Sequence, residues 1–131
     1  MVEVWLPYGR TEVSVNIPDE GFQGIIESKD ESSASDPLLA VSQALEHPVH
    51  SKPLDSLVST GEKVAIVVDD ATRPAPMSLS LDPLMTQLSR AGVKMEDTTV
   101  IVGTGMHRPP TDQEIAGLVG ADLVKRVRVV G

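Results

Sequence analysis

Lys63-Val64-Ala65-Ile66-Val67-Val68-Asp69-Asp70 is a nearly unbroken apolar run that opens after Gly61 and ends in two carboxylates. A strand buried on both faces reads this way, and strands of that kind belong to parallel sheets flanked by helices. Downstream, Leu81, Leu84, Met85, Leu88 and Ala91 recur at three- and four-residue steps and stop at Gly92, which predicts a helix with a glycine end. Thr98-Thr99-Val100-Ile101-Val102 predicts the next strand. Thr111-Asp112-Gln113-Glu114 is a capping box that starts a second helix, expected to stop near Gly120. The Val-rich segment from Val124 to Val130 predicts a third strand. The chain from residue 61 therefore spells βαβαβ, and the expected fold class is α/β, a three-layer Rossmann-like arrangement with a mostly parallel sheet.

Upstream, residues 2–6 and 11–17 alternate between apolar and polar, with Val13, Val15 and Ile17 on one face. Pro7-Tyr8-Gly9-Arg10 lies between them as the turn of an N-terminal β-hairpin. Residues 18–35 are rich in Ser, Asp and Glu and predict a linker. Asp36 as N-cap and Pro37 at the first helical position then open a short helix to about residue 46, before Pro48. The chain stops at Gly131, directly after a predicted strand, so we expect a domain cut from a longer protein.

Composition narrows the function classes. With 40% hydrophobic residues but only Trp5, Tyr8 and Phe22 as aromatics, the core has to be aliphatic. Nineteen acidic against eleven basic residues disfavour nucleic acid, whose binding depends on neutralising phosphates. No stretch approaches the roughly 20 apolar residues that span a bilayer. The first residues do not resemble a signal peptide, so a cytoplasmic location is expected. With no Cys, disulfides, zinc-thiolate sites and Fe–S clusters drop out of consideration.

Chemistry concentrates in the two loops that follow the two firmest strands. Ligands in open α/β sheets bind beyond the carboxyl ends of the strands, so Asp70, Thr72, Arg73, Thr104 and His107 are expected to face one crevice. Arg73 offers a fork of donors suited to a carboxylate. His107 is suited to take a proton from a hydroxyl. Asp70 is placed to orient either of them, and Gly103 and Gly105 let backbone approach a bound group. The plainer alternative makes Asp69 and Asp70 turn caps, Arg73 a surface ion-pair partner and His107 a structural residue. Gly103-x-Gly105 is not a dinucleotide fingerprint, and no P-loop Lys is present. His47 and His50 are read as loop residues, and no metal-ligand constellation or calcium loop is found.

Leu6-Pro7-Tyr8-Gly9, then Asp70-x-Thr72-Arg73-Pro74-x-Pro76, then Gly103-Thr104-Gly105-Met106-His107-Arg108-Pro109, closed by Thr111-x-x-Glu114, resembles the N-terminal domain of the nickel-pincer-dependent lactate racemase family. The resemblance runs from about residue 5 to residue 131. It implies that residues 1–131 form the N-terminal substrate and catalytic domain of a longer two-domain enzyme that racemises or epimerises a small 2-hydroxy acid. The cofactor it implies is a nickel-pincer nucleotide that accepts and returns a hydride. Carried over, Arg73 clamps the substrate carboxylate, His107 is an acid/base, Asp70 is a catalytic-site carboxylate, and Thr72 is a hydroxyl that orients the loop or lies near substrate or cofactor. Thr104 and Gly105 also lie near the cofactor. The implied partners are the 2-hydroxy acid, the C-terminal domain of the same protein and the proteins that mature the cofactor. The family's second histidine, its attachment Lys and its nickel-ligating His have no counterpart after His107. The isolated chain is therefore expected to lack racemase activity and tight nickel binding. Two other readings remain open, a stand-alone domain that binds a carboxylate or phosphate without catalysis, and a structural partner that completes another subunit's site.

Overall fold

The computed structural model describes residues 1–131, and they separate into two compact units, Met1–Ser32 and Ser33–Gly131. The first is the expected hairpin. Strand β1, Val2–Tyr8, pairs antiparallel with β2, Thr11–Ile17. Val2, Val4 and Leu6 stand opposite Ile17, Val15 and Val13, so the two-residue period gathers six aliphatic side chains on one face of the ribbon. The turn is tighter than the sequence suggested. Only Gly9, at φ 64°, and Arg10 lie between the strands, while Pro7 pairs in register with Glu12. In a two-stranded ribbon both strands are edges, and an edge tolerates a residue without an N–H. The segment expected to be a linker holds one short 3-10 turn, Asp19–Gly21.

The second unit begins with helix α1, Pro37–Glu46. Asp36 caps it by accepting from the Leu39 N–H at 3.0 Å, and Pro37 sits at its start. Strand β3, Val64–Asp69, leads through α2, Met77–Arg90, to β4, Thr98–Gly103, and then through α3, Asp112–Val119, to β5, Arg128–Val130. The three strands are parallel in the order β3-β4-β5. Both crossovers step in the same direction across the sheet, and right-handed connections of that kind place their helices on one face. The core lies there: Val68, Val100 and Val102 from the sheet meet Leu81, Met85 and Leu88 of α2 and Leu118 and Val119 of α3. A sheet and one helical layer are thus present, and α1 packs along α2. On the opposite face Val67 is 71% exposed and its neighbour in register, Ile101, is exposed as well.

Two boundaries differ from the sequence reading. Helix α2 starts a turn before Leu81, which places Pro83 inside it. Its end is as expected: Gly92, at φ 87°, lets its own N–H reach the Ser89 carbonyl and the Val93 N–H reach that of Leu88. The third strand is much shorter than predicted, because residues 121–127 form consecutive turns instead. Leu123 and Val127, four apart and both buried, enter the core through helical-type bonds from Val127 and Arg126 to the Leu123 carbonyl. A run of Val hid a spacing of four, and helical turns follow that spacing.

Candidate functional site

Strands β3 and β4 are adjacent, and Asp69 lies opposite Gly103 in the last pair of their register. The loops that leave them start side by side at the carboxyl edge of the sheet. Each closes on itself at once: the Arg73 N–H donates to the Asp70 carbonyl at 2.9 Å, and the His107 N–H donates to the Thr104 carbonyl at 3.0 Å. The second turn uses Gly105 at φ 58°, a left-handed conformation that glycine adopts without penalty. Asp69, Asp70, Arg73, Thr104, Gly105 and His107 line one open groove of about 350 Å³.

Asp70 is the hub. Only 8% exposed, it turns inward at the end of β3 while Asp69 stays in solvent. Its Oδ2 accepts from the Thr72 hydroxyl at 2.9 Å, and its Oδ1 accepts from the Thr72 N–H at 3.3 Å. The same Oδ2 meets His107 Nδ1 across the groove, a contact between residues 37 apart in sequence. The hydrogen bond from His107 holds the Asp70 carboxyl below the usual aspartate range against the opposing effect of burial, and the two bonds from Thr72 add to the lowering. An ionised carboxylate only accepts, so the shared proton sits on Nδ1. The lone pair of a neutral His107 is then on Nε2.

The two arginines of the loops are used differently. Arg73 has no carboxylate partner and is exposed at the rim of the groove. Arg108, next to His107, is engaged by Glu114 through Nη1 to Oε2 at 2.9 Å and Nη2 to Oε1 at 2.7 Å. The paired guanidinium is first among the causes that bring the Glu114 carboxyl to about 2, followed by bonds from Thr111. Of the two, Arg73 is the one available to an anion. The bridge between Arg108 and Glu114 was not foreseen from the sequence, where the only signal was the capping box to which Glu114 belongs.

The remaining candidates take more ordinary places. His47 ends α1 with Nδ1 3.3 Å from the Gln43 carbonyl oxygen, and His50 follows in the loop at φ 53°. No three His, Cys, Asp or Glu side chains converge on one point, and no helix is long and apolar enough to cross a membrane.

The family of the lactate racemase N-terminal domain matches residues 8–131. The lactate racemase of Thermoanaerobacterium thermosaccharolyticum is 34% identical over 135 residues, covering 99% of this chain and 31% of the relative. That of Lactiplantibacillus plantarum is 27% identical over 132 residues, again covering 99% and 31%. The structure of the lactate racemase apoprotein from T. thermosaccharolyticum superposes with a TM-score of 0.77 at 30% identity, covering 98% of this chain and 30% of that one. The chain thus spans about a third of the length of the curated relatives it matches. It belongs to the lactate racemase family, of which it carries the N-terminal domain.

Proposed function

We propose that this chain is the N-terminal substrate and catalytic domain of a longer cytoplasmic enzyme that racemises or epimerises a small 2-hydroxy acid. The observation that carries the reading is the contact of Asp70 with His107 Nδ1, made beside an Arg73 that has no partner in the chain. Arg73 takes the substrate carboxylate through its guanidinium fork. His107 Nε2 accepts the hydroxyl proton as the α-carbon is oxidised to a 2-oxo acid, and returns it on reduction. Asp70 holds the ring so that Nε2 faces the groove, and its negative charge stabilises the imidazolium formed. The nickel-pincer nucleotide of the family supplies the hydride acceptor when bound. The chain offers no cluster of ligands for its metal, so the share proposed for these residues is carboxylate binding and proton transfer. Thr104 and Gly105 of the groove, with Thr72 of the neighbouring loop, are the residues that would lie near the nucleotide when it is bound. The C-terminal domain and the proteins that mature the cofactor are the remaining partners in this reading.

The test is a chiral assay of the full-length protein, loaded with cofactor, on lactate and related 2-hydroxy acids. His107→Ala is expected to lower kcat by about 10²- to 10⁴-fold, the range for removal of an acid/base. Arg73→Lys should raise KM, since a point charge replaces a fork. The isolated 131-residue chain is expected to show no turnover. Full activity in His107→Ala would overturn the proposal. The exposed Arg73 also suits a domain that binds an anion without catalysis. In that case His107→Ala would leave 2-hydroxy acid binding intact and the wild-type full-length protein would show no turnover.

A further inference from the structure

The proposed chemistry needs His107 held with Nε2 toward the groove, yet His107 lies on an exposed loop at the end of β4. The turn bond from the His107 N–H to the Thr104 carbonyl ties the loop to itself, and the contact with Asp70 ties the ring to β3. The next residue supplies a second anchor. Arg108 donates through two nitrogens to the two oxygens of Glu114, and its Nη1 also donates to the Pro109 carbonyl at 3.1 Å. A bidentate pair of this kind fixes orientation as well as distance.

Glu114 is itself held. Its Oε2 accepts from the Thr111 N–H at 2.8 Å and from the Thr111 hydroxyl at 3.0 Å, while its own N–H donates to that hydroxyl at 3.3 Å. These bonds are the capping box of α3, whose Leu118 and Val119 are buried in the core. The side chains of Asp70, Thr72, His107, Arg108 and Glu114 also surround one small cavity of about 90 Å³. A continuous path of contacts thus runs from the core through α3 and Glu114 to Arg108, the chain neighbour of His107.

We infer that Glu114 is a positioning residue, whose two-point bridge to Arg108 sets the loop so that the His107 ring meets Asp70 through Nδ1. The inference rests on the reading of His107 as an acid/base for its importance, but not for its test. Capping alone does not account for the arrangement, because the box is complete without Arg108. Arg108 in turn is a strut and not a second substrate clamp, since both of its Nη groups are taken by Glu114, and Nη1 by the Pro109 carbonyl as well.

The test uses the 131-residue chain labelled with ¹⁵N in its histidine rings, at about pH 8.5 where imidazole is neutral. Ring nitrogen shifts report which nitrogen carries the proton. In the wild type His107 is expected to be protonated on Nδ1. In Glu114→Ala and in Arg108→Gln it should move to the form protonated on Nε2, which unconstrained imidazole favours. Thr111→Ala removes the hydroxyl from the cap and from Glu114 Oε2 but keeps the Thr111 N–H on that oxygen and both bonds to Arg108, so it should lower the unfolding temperature and keep the Nδ1 proton. Arg108→Gln keeps the capping box and guards against a Glu114→Ala chain that does not fold. An unchanged His107 tautomer in folded Arg108→Gln, or an equal change in Thr111→Ala, would overturn the inference. Neither result depends on turnover, so a failure here is separable from inactivity of His107 in the racemase assay.

Discussion

The hairpin unit and the βαβαβ unit use the same aliphatic residues to different effect. In Met1–Ser32, Val2, Val4, Leu6, Val13, Val15 and Ile17 form a continuous face, and none of them is buried. In Ser33–Gly131, Val68, Val100 and Val102 alternate in the same way, and each is buried under α2 and α3. Cross-strand pairing orders the first unit, whereas burial of apolar surface orders the second. Two-stranded ribbons are marginal by themselves in water. Stability measured on this chain should therefore report the second unit.

The sharpest break of that contrast is Leu88→Ala. Leu88 is 1% exposed, on the face of α2 turned to the sheet. The substitution should cost about 2–5 kcal/mol, the range for emptying a packed leucine site. Chemical denaturation followed by circular dichroism measures it. A loss under about 1 kcal/mol would show that the helical layer packs loosely and that the two units differ less than their burial indicates.

Next in size is the cap of α3. Thr111→Ala removes the hydroxyl that accepts from the Glu114 N–H, and a lost N-cap of this type costs about 0.5–2 kcal/mol. The effect should appear in the same cooperative transition as that of Leu88→Ala, because Leu118 and Val119 tie α3 to the core. A separate early transition would mean that α3 frays independently.

Much of this second unit is legible in the sequence because local signals and tertiary packing agree. The apolar run into Asp69, the glycine that closes α2 and the Thr111–Glu114 box each mark a boundary by a mechanism that acts within a few residues. Legibility fails where the decision is tertiary. Pro83 is accommodated because Leu81, Met85 and Leu88 bury one continuous stripe around it. Leu123 and Val127 reach the core on turns, although their neighbours look like a strand. In the candidate site the same limit applies. The two loops stand out by residue type and by their place after strands, but whether Asp70 serves the Arg or the His is settled only by which side chain arrives at Oδ2. The partner of Arg108 comes from a helix that the sequence marks only as capped.

Acid should weaken the second unit through its site. The Glu114 carboxyl is brought from 4.5 to about 2, chiefly by Arg108, and that of Asp70 is lowered chiefly by His107. A carboxyl with a depressed folded-state value contributes stability that is present above its unfolded value and lost as pH falls through the folded one. The unfolding temperature should hold above about pH 4.5 and drop between there and about pH 2. In Glu114→Gln the drop should be smaller, because only the Asp70 part remains. An identical acid profile would show that the bridge to Arg108 contributes nothing to folding.

The smallest expected effect lies in the hairpin and tests the comparison from its other side. Val15 faces Val4 across the ribbon and is 41% exposed, whereas Val100 in β4 is fully buried. Val15→Ala removes the same two methyl groups that Val100→Ala would, but from a surface already half in water. It should change stability by less than about 0.5 kcal/mol, as surface substitutions do. A larger loss, approaching that of a core valine, would mean that the aliphatic face of the ribbon is covered in solution. The hairpin would then have to be counted as part of a core and not as a ribbon held by its own pairing.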